Sequence, residues 1–292
     1  MSRSHRGAWF ALPALLAIAF FFVLPVLAAF LLSLSDFDIY ALQSFANLRF
    51  VGVQNYLELL HTPLFWQALG NTAFFVVVGV PLSIAVSLGT ALLLHSRVAR
   101  WKRVFRTALF APVVTTLVAV AVVWMYLLHT RYGFINYALG ALGVSPVDWL
   151  GDPFWAMPAI VLFAVWKNFG YNMVILLAAL ESIPETLYEA ARIDGASAIQ
   201  ELRFVTLPSL APTLLLVGIL TMAGYFQLFA EPYVMTQGGP LGSTTSVLYL
   251  MVEEGFKWWN LGAASAVAFV LFALMFSVTR LELWLGRRWG SA

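Results

Sequence analysis

Long apolar runs, rather than alternating apolar and polar positions, set the pattern of this chain. Five stretches, 8–34, 71–94, 107–128, 207–230 and 261–279, contain no charged residue, and a sixth, 154–180, contains only Lys167. A bilayer core of about 30 Å needs roughly 20 apolar residues of helix. Strands of a membrane barrel would run for about ten residues and alternate in polarity. The pattern therefore predicts an all-α polytopic membrane protein with six transmembrane helices. Arg3 and Arg6 precede the first run as in a signal peptide, but its 27 uncharged residues exceed the roughly 7–15 of such a segment. It counts as a span. Pro13, Pro25, Pro81 and Pro112 fall inside the first three spans, where they predict kinks rather than breaks.

Composition agrees. Hydrophobic residues make up 62% and charged residues 10%, against roughly 45–50% and 25% in soluble domains. Lipid must solvate most of that apolar surface. A net charge of +2, without surface aromatics interleaved among the basic residues, excludes a nucleic-acid partner. The chain has no cysteine, and none of His5, His61, His95 and His129 stands in HExxH spacing, so no metal site is expected. A phosphate-binding loop needs Gly-Lys-Ser/Thr. The lysines, Lys102, Lys167 and Lys257, are followed by Arg, Asn and Trp, so no ATP site and no cofactor is expected in this chain.

Lys and Arg favour the cytoplasmic side of membrane proteins. Twelve of the sixteen share one side: Arg3 and Arg6, the cluster Arg97, Arg100, Lys102, Arg103 and Arg106, then Arg192, Arg203, Arg280, Arg287 and Arg288. The opposite loops hold Arg49, Arg131 and Lys257, which predicts that both termini are cytoplasmic. Residues 53–69 place Tyr56, Leu59, Leu60 and Leu64 at helical spacing, as in one helix along the outer interface anchored by Trp66. With no internal repeat and no linker, residues 1–292 read as a single domain.

The loop at 181–206, between the fourth and fifth spans, is the most informative. Pro184 suits a first helical turn, Glu185–Arg192 is a good helix former, and Asp194-Gly195 supplies a stop or a sharp bend. A second short helix, 198–204, should then lead into the membrane. Such a knob could lie solvated at the headgroups. Its Glu181, Glu185, Glu189, Asp194 and Glu201 outnumber Arg192 and Arg203, so an anionic leaflet should repel it, which favours a protein partner.

This loop resembles the EAA loop of ABC importer permeases, E-A-A-x-x-D-G-A followed by I/V-x-L-P. Glu189, Ala190, Ala191, Asp194, Gly195 and Ala196 match, as do Val205, Leu207 and Pro208, whereas Ala198, Ile199 and Glu201 stand where the family usually has an aromatic or basic residue. A second stretch, Thr236-Gln-Gly-Gly-Pro-Leu-Gly-Ser-Thr-Thr, is similar to T-x-G-G-P-x-x-x-T-T of the maltose and glycerol-3-phosphate branch. Val51–Tyr56, Asn71-Thr72 and Leu261-Gly-Ala-Ala are similar to the same branch. The resemblance implies a permease subunit that imports a sugar by alternating access, its 181–206 loop docked on a separate ATPase. It also implies the partners: a second, homologous permease, two ABC ATPase subunits holding ATP and Mg, and an extracytoplasmic substrate-binding protein.

Polar side chains at mid-membrane are expensive and usually functional. Lys167, Asn168, Tyr171 and Asn172 form a polar face one turn long in the fourth span, and Thr221, Tyr225 and Gln227 a comparable one in the fifth. Amides, hydroxyls and rings suit a sugar; the same groups could instead bond helix to helix or support a kink near Gly170. Lys167 could serve a phosphorylated substrate such as glycerol-3-phosphate, or it could snorkel or pair with a partner permease. An ion-coupled carrier would need carboxylates within the spans, and Glu231 only borders one. An intramembrane enzyme would need a catalytic Asp pair, a Ser/Lys dyad or a metal cluster there, and no such spacing is present.

Overall fold

The computed structural model describes residues 4–38, 49–96 and 100–289. Arg3 and Arg97 of the basic set lie outside these residues, as do the side chains of Arg6, Arg287 and Arg288. The chain divides into two units, Met1–Trp66 with Leu250–Ala273 and Gln67–Tyr249 with Leu274–Ala292.

In the first unit, α1 (Ser4–Ile18) passes through a π-turn, Ala19–Val23, into α2 (Leu24–Ser33). Pro25 sits at the start of α2. A proline cannot donate to the turn before it and its ring crowds that carbonyl, and the wider π-turn absorbs both effects. Leu15, Phe21, Phe22 and Leu31 are exposed along this rod, as expected where lipid is the solvent. The exit from α2 is tied down by α3 (Gln54–His61). Asn55 Nδ2 donates to the carbonyls of Ser33 and Ser35, each at 2.8 Å, and the Tyr56 and Ser33 hydroxyls lie 2.8 Å apart. The Val51–Tyr56 stretch is thus a clasp.

One interfacial helix over 53–69 is not what forms. Thr62 is extended (ψ 114°) because it precedes Pro63, and Pro63 opens α4 (Pro63–His95). Tyr56, Leu59 and Leu60 therefore belong to α3 and Leu64 to α4. Trp66 Nε1 bridges the break by donating to the Leu60 carbonyl at 2.8 Å.

In the second unit the uncharged run 107–128 is not one straight span. It divides into α5 (Lys102–Val114) and α6 (Leu117–Leu127), bent by 101°. Thr115 and Thr116 are extended, with ψ of 152° and 132°. Pro112 weakens the turn before them, and the Thr115 hydroxyl donates to the Pro112 carbonyl at 2.6 Å. Pro112, like Pro13 and Pro81, lies inside a helix, but beyond it the chain breaks at Thr115 and Thr116 instead of only kinking.

After α7 (Phe134–Ala141), α8 (Pro153–Glu181) forms the most buried helix, its start capped by Asp152, which accepts from Phe154 N. It packs on α5 and on α11 (Leu207–Phe226). The helix is continuous through Gly170. A Cβ there would collide with the Leu109 carbonyl oxygen, so Gly170 lets two helices approach closely. The loop beyond α8 holds α9 (Glu185–Ile193) and α10 (Ala198–Glu201). A π-turn, Leu202–Thr206, joins α10 to α11 and accommodates Pro208 as the earlier one does Pro25. The fifth membrane helix therefore starts at Ala198, not after a separate short helix. Then come α12 (Ala230–Met235), α13 (Val247–Val252) and α14 (Leu261–Trp289).

Among the described residues five helices are long and apolar enough to cross a bilayer, and a sixth crossing appears if the bent α5–α6 pair is one span.

Candidate functional site

Helix α9 ends because Gly195 takes a left-handed conformation, φ +79°. Its N–H donates to the Arg192 carbonyl and that of Ala196 to the Ala191 carbonyl, at 3.1 and 2.9 Å, the paired bonds of a Schellman stop. A residue with a Cβ pays about 1–2 kcal/mol in that conformation. Arg192 donates to Glu201 at 3.0 Å and to Glu185 at 3.2 Å, fastening α9 to α10. Glu201 first and Glu185 second, as acceptors, raise the guanidinium pKa above its ordinary value. Tyr188 OH meets Thr206 Oγ1 at 3.1 Å, fixing the knob to the membrane helix below.

The fastenings leave an apolar crown. Leu187, Ile193, Ile199 and Phe204 are 46, 85, 78 and 67% exposed. Glu189, Ala190, Asp194 and Gly195 are exposed beside them, Ala191 and Ala196 partly so. Leu207 and Pro208 begin α11 instead. Among the described residues, chain neighbours apart, no heavy atom lies within 4 Å of a Cβ built on Gly195, so this bend faces open space.

Five of the six membrane candidates, Asn168, Tyr171, Asn172, Thr221 and Tyr225, line one cavity of about 330 Å³. Lys167 does not. Its Nζ donates to the Val113 carbonyl at 3.1 Å, and the residue is buried. Asn172 donates to Thr221 at 2.8 Å, so these two fasten α8 to α11. Asn168 Nδ2 bonds its own helix at Ala164, and Tyr171 is half-exposed. Tyr225 stacks on Phe75, ring centroids 4.8 Å apart. Three lining residues lie past the end of α11: Gln227, Leu228 and Glu231. Glu231 borders the fifth uncharged run in the sequence, and the turn at 227–229 carries α12 back to the cavity. A carboxylate in an apolar stretch directly after the fifth run is the signal that could have found it.

The Gly-rich loop is held by the start of the second membrane helix. Asn71 Nδ2 donates to the carbonyls of Gly242 and Thr245, both at 2.8 Å, and Gln67 Nε2 to that of Leu241. Thr72 Oγ1 accepts from Val247 N at 3.0 Å. Within the loop the Thr236 and Thr244 hydroxyls lie 2.7 Å apart. Asn71→Ala removes a donor from both carbonyls, of which that of Gly242 still accepts from the Thr245 N–H at 3.1 Å, and should cost about 1–3 kcal/mol. A lower melting temperature of the detergent-solubilised protein is expected; an unchanged one would show that the loop holds itself.

A helical, multi-pass membrane protein with a polar cavity between its spans and a rigid knob beyond them is a transport subunit by class. The chain belongs to the binding-protein-dependent transport system inner membrane component family, whose profile matches residues 84–291. It is 35% identical over 287 residues to the lactose transport system permease of Rhizobium radiobacter, covering 97% of this chain and 94% of that one. Identity to the trehalose/maltose transport system permease of Thermococcus litoralis is 37% over 284 residues, covering 96% and 93%. The sn-glycerol-3-phosphate permease of Pectobacterium atrosepticum is 31% identical over 282 residues, covering 95% and 94%. A solved bacterial ABC transporter that imports the acidic polysaccharide alginate shares the fold, with a TM-score of 0.80 at 21% identity over 98% of this chain and 96% of that one. These relatives are membrane permeases rather than enzymes, and the chain is an inner-membrane ABC permease.

Proposed function

We propose that this permease forms half of the pathway of an ATP-driven importer for a neutral carbohydrate. Its residues 1–292 act as one transmembrane domain of six crossings, the bent α5–α6 pair counting as one, with both termini cytoplasmic. A second, homologous permease completes the pathway, two ABC ATPase subunits hold ATP and Mg, and an extracytoplasmic protein delivers the sugar. The observation that carries this reading is the exposed crown around Gly195, fastened by Arg192 and Tyr188 yet left uncovered by the described residues of this chain. Closure of the ATPases on ATP would push the crown, and the continuous helix from Ala198 to Phe226 would pass that motion to Thr221 and Tyr225. The relatives named for lactose and for trehalose/maltose support a sugar.

The cavity supports a neutral one. Its lining offers amides, hydroxyls and rings, and its ionisable lining groups are Tyr171, Tyr225 and the carboxyl of Glu231. Among the described residues no cation lines it, and the neighbouring Lys167 is held by the Val113 carbonyl, so the glycerol-3-phosphate reading is not favoured. Glu231 is also the group that an ion-coupled carrier would use, but the family and the crown favour ATP as the energy source. Proteoliposomes holding the assembled importer and its binding protein test the reading. ATP-dependent uptake of a labelled neutral di- or oligosaccharide, unaffected by excess glycerol-3-phosphate, is expected. Uptake of the phosphate ester in preference to every sugar would refute it.

A further inference from the structure

Most basic side chains beside a membrane are simply solvated, but three of them here share a cavity. It measures about 410 Å³ and lies where α4 ends, α5 begins and α8 ends. Lys102, Arg103, Arg106, His95 and Glu181 supply its polar lining, and Leu94 and Leu177 its apolar part. Lys102 Nζ donates to the His95 carbonyl at 3.1 Å, which holds the start of α5 against the last turn of α4. Among the described residues none of Lys102, Arg103 and Arg106 is ion-paired with a carboxylate. Glu181 is the one acid facing the three, so the cavity carries an uncompensated positive potential. The N-terminus of α5 adds its partial positive charge.

The position identifies the ligand. Glu181 ends α8 and opens the 181–206 loop, so the cavity lies on the loop side, at the level where membrane helices leave their apolar runs. Leu93, Trp101, Val104 and Phe105 are exposed next to it, and a tryptophan at this level is the usual interfacial anchor. A cationic cavity beside exposed apolar and aromatic side chains matches one molecule available there, with an anionic head and acyl tails. We propose that this cavity binds the phosphate headgroup of an anionic phospholipid from the leaflet on the coupling-loop side. Arg103 and Arg106 present forks that suit phosphate oxygens. The acyl chains would lie along Leu93, Val104 and Phe105. Free phosphate shares the first interaction and lacks the second.

Native mass spectrometry of the full-length protein, with phosphatidylglycerol or phosphatidylcholine added, tests this. Wild type should retain phosphatidylglycerol preferentially, and Arg103→Gln with Arg106→Gln should remove the preference, roughly fivefold per charge. Arg131→Gln, on another loop, should keep it. Glu181→Gln should raise phosphatidylglycerol retention by about fivefold, a gain that misfolding cannot mimic. Equal retention of the two lipids by wild type, or no gain in Glu181→Gln, would overturn the proposal. Displacement of the lipid by excess inorganic phosphate would overturn it too, since the site would then serve a free anion.

Discussion

Gly195→Leu is expected to lower ATP-dependent uptake by the assembled importer by tenfold or more, while Gly195→Ala retains most of it. Both substitutions place a Cβ at φ +79°, at about 1–2 kcal/mol, and both strain the same pair of bonds to the Ala191 and Arg192 carbonyls. Strain therefore cannot separate them. Apart from its chain neighbours, no described residue lies within 4 Å of the added Cβ, so a larger side chain points into open space beside this subunit. It meets an obstacle only if another protein sits against the bend. A single leucine that props apart a packed interface removes contacts worth about 2 kcal/mol or more, which is more than tenfold. The membrane helices do not depend on this turn, so both variants should insert normally. Equal loss in both variants would assign the effect to backbone strain, and wild-type uptake in both would leave the bend without a partner.

Glu231→Lys is expected to change what the importer accepts. Unit charges about 5 Å apart at an effective dielectric of about 20 interact by roughly 3 kcal/mol, near a hundredfold in affinity. Replacing the carboxyl in the cavity with an ammonium should weaken neutral-sugar uptake, because a hydrogen-bond acceptor for sugar hydroxyls is gone. It should also make uptake sensitive to competing anions such as glycerol-3-phosphate. Lys167→Gln should alter anion competition less, since Lys167 Nζ is held by the carbonyl of the lining residue Val113 and is not itself among the lining residues. Competition assays in proteoliposomes read both. Anion sensitivity that follows Lys167 instead of Glu231 would reverse the assignment of the two groups.

The spans were legible because lipid imposes a composition as well as a period, and a run such as 71–94 satisfies both. The stop at Gly195 was legible because a glycine just past the end of a helix-forming stretch is a local signal. The 101° bend at Thr115 and Thr116 was not, because an uncharged run has the same hydropathy straight or folded. Nor was the split at Thr62, where an amphipathic spacing continued across a proline. Long-range fastenings are invisible to local pattern: Asn71 finds its acceptors 171 and 174 residues away. That Glu231, at the border of the fifth span, also lines the cavity is hidden for the same reason, since its distance along the chain from the fourth span says nothing of the turn that brings α12 there. Residue types in the fifth span suggested Thr221 for the pathway, yet its hydroxyl accepts from Asn172, so part of that polar face holds helices together.

The chain has no cysteine, so Ile193→Cys would install a single thiol on the crown at its most exposed point. Cross-linking from this thiol in membranes containing the whole importer reports directly what grips the knob. The expected adduct joins residue 193 to the ATPase subunit, with a yield that changes when ATP is bound or hydrolysed. An adduct formed only with lipid or with the permease itself, alongside undiminished uptake, would contradict the claim that this surface takes its motion from a nucleotide-driven partner.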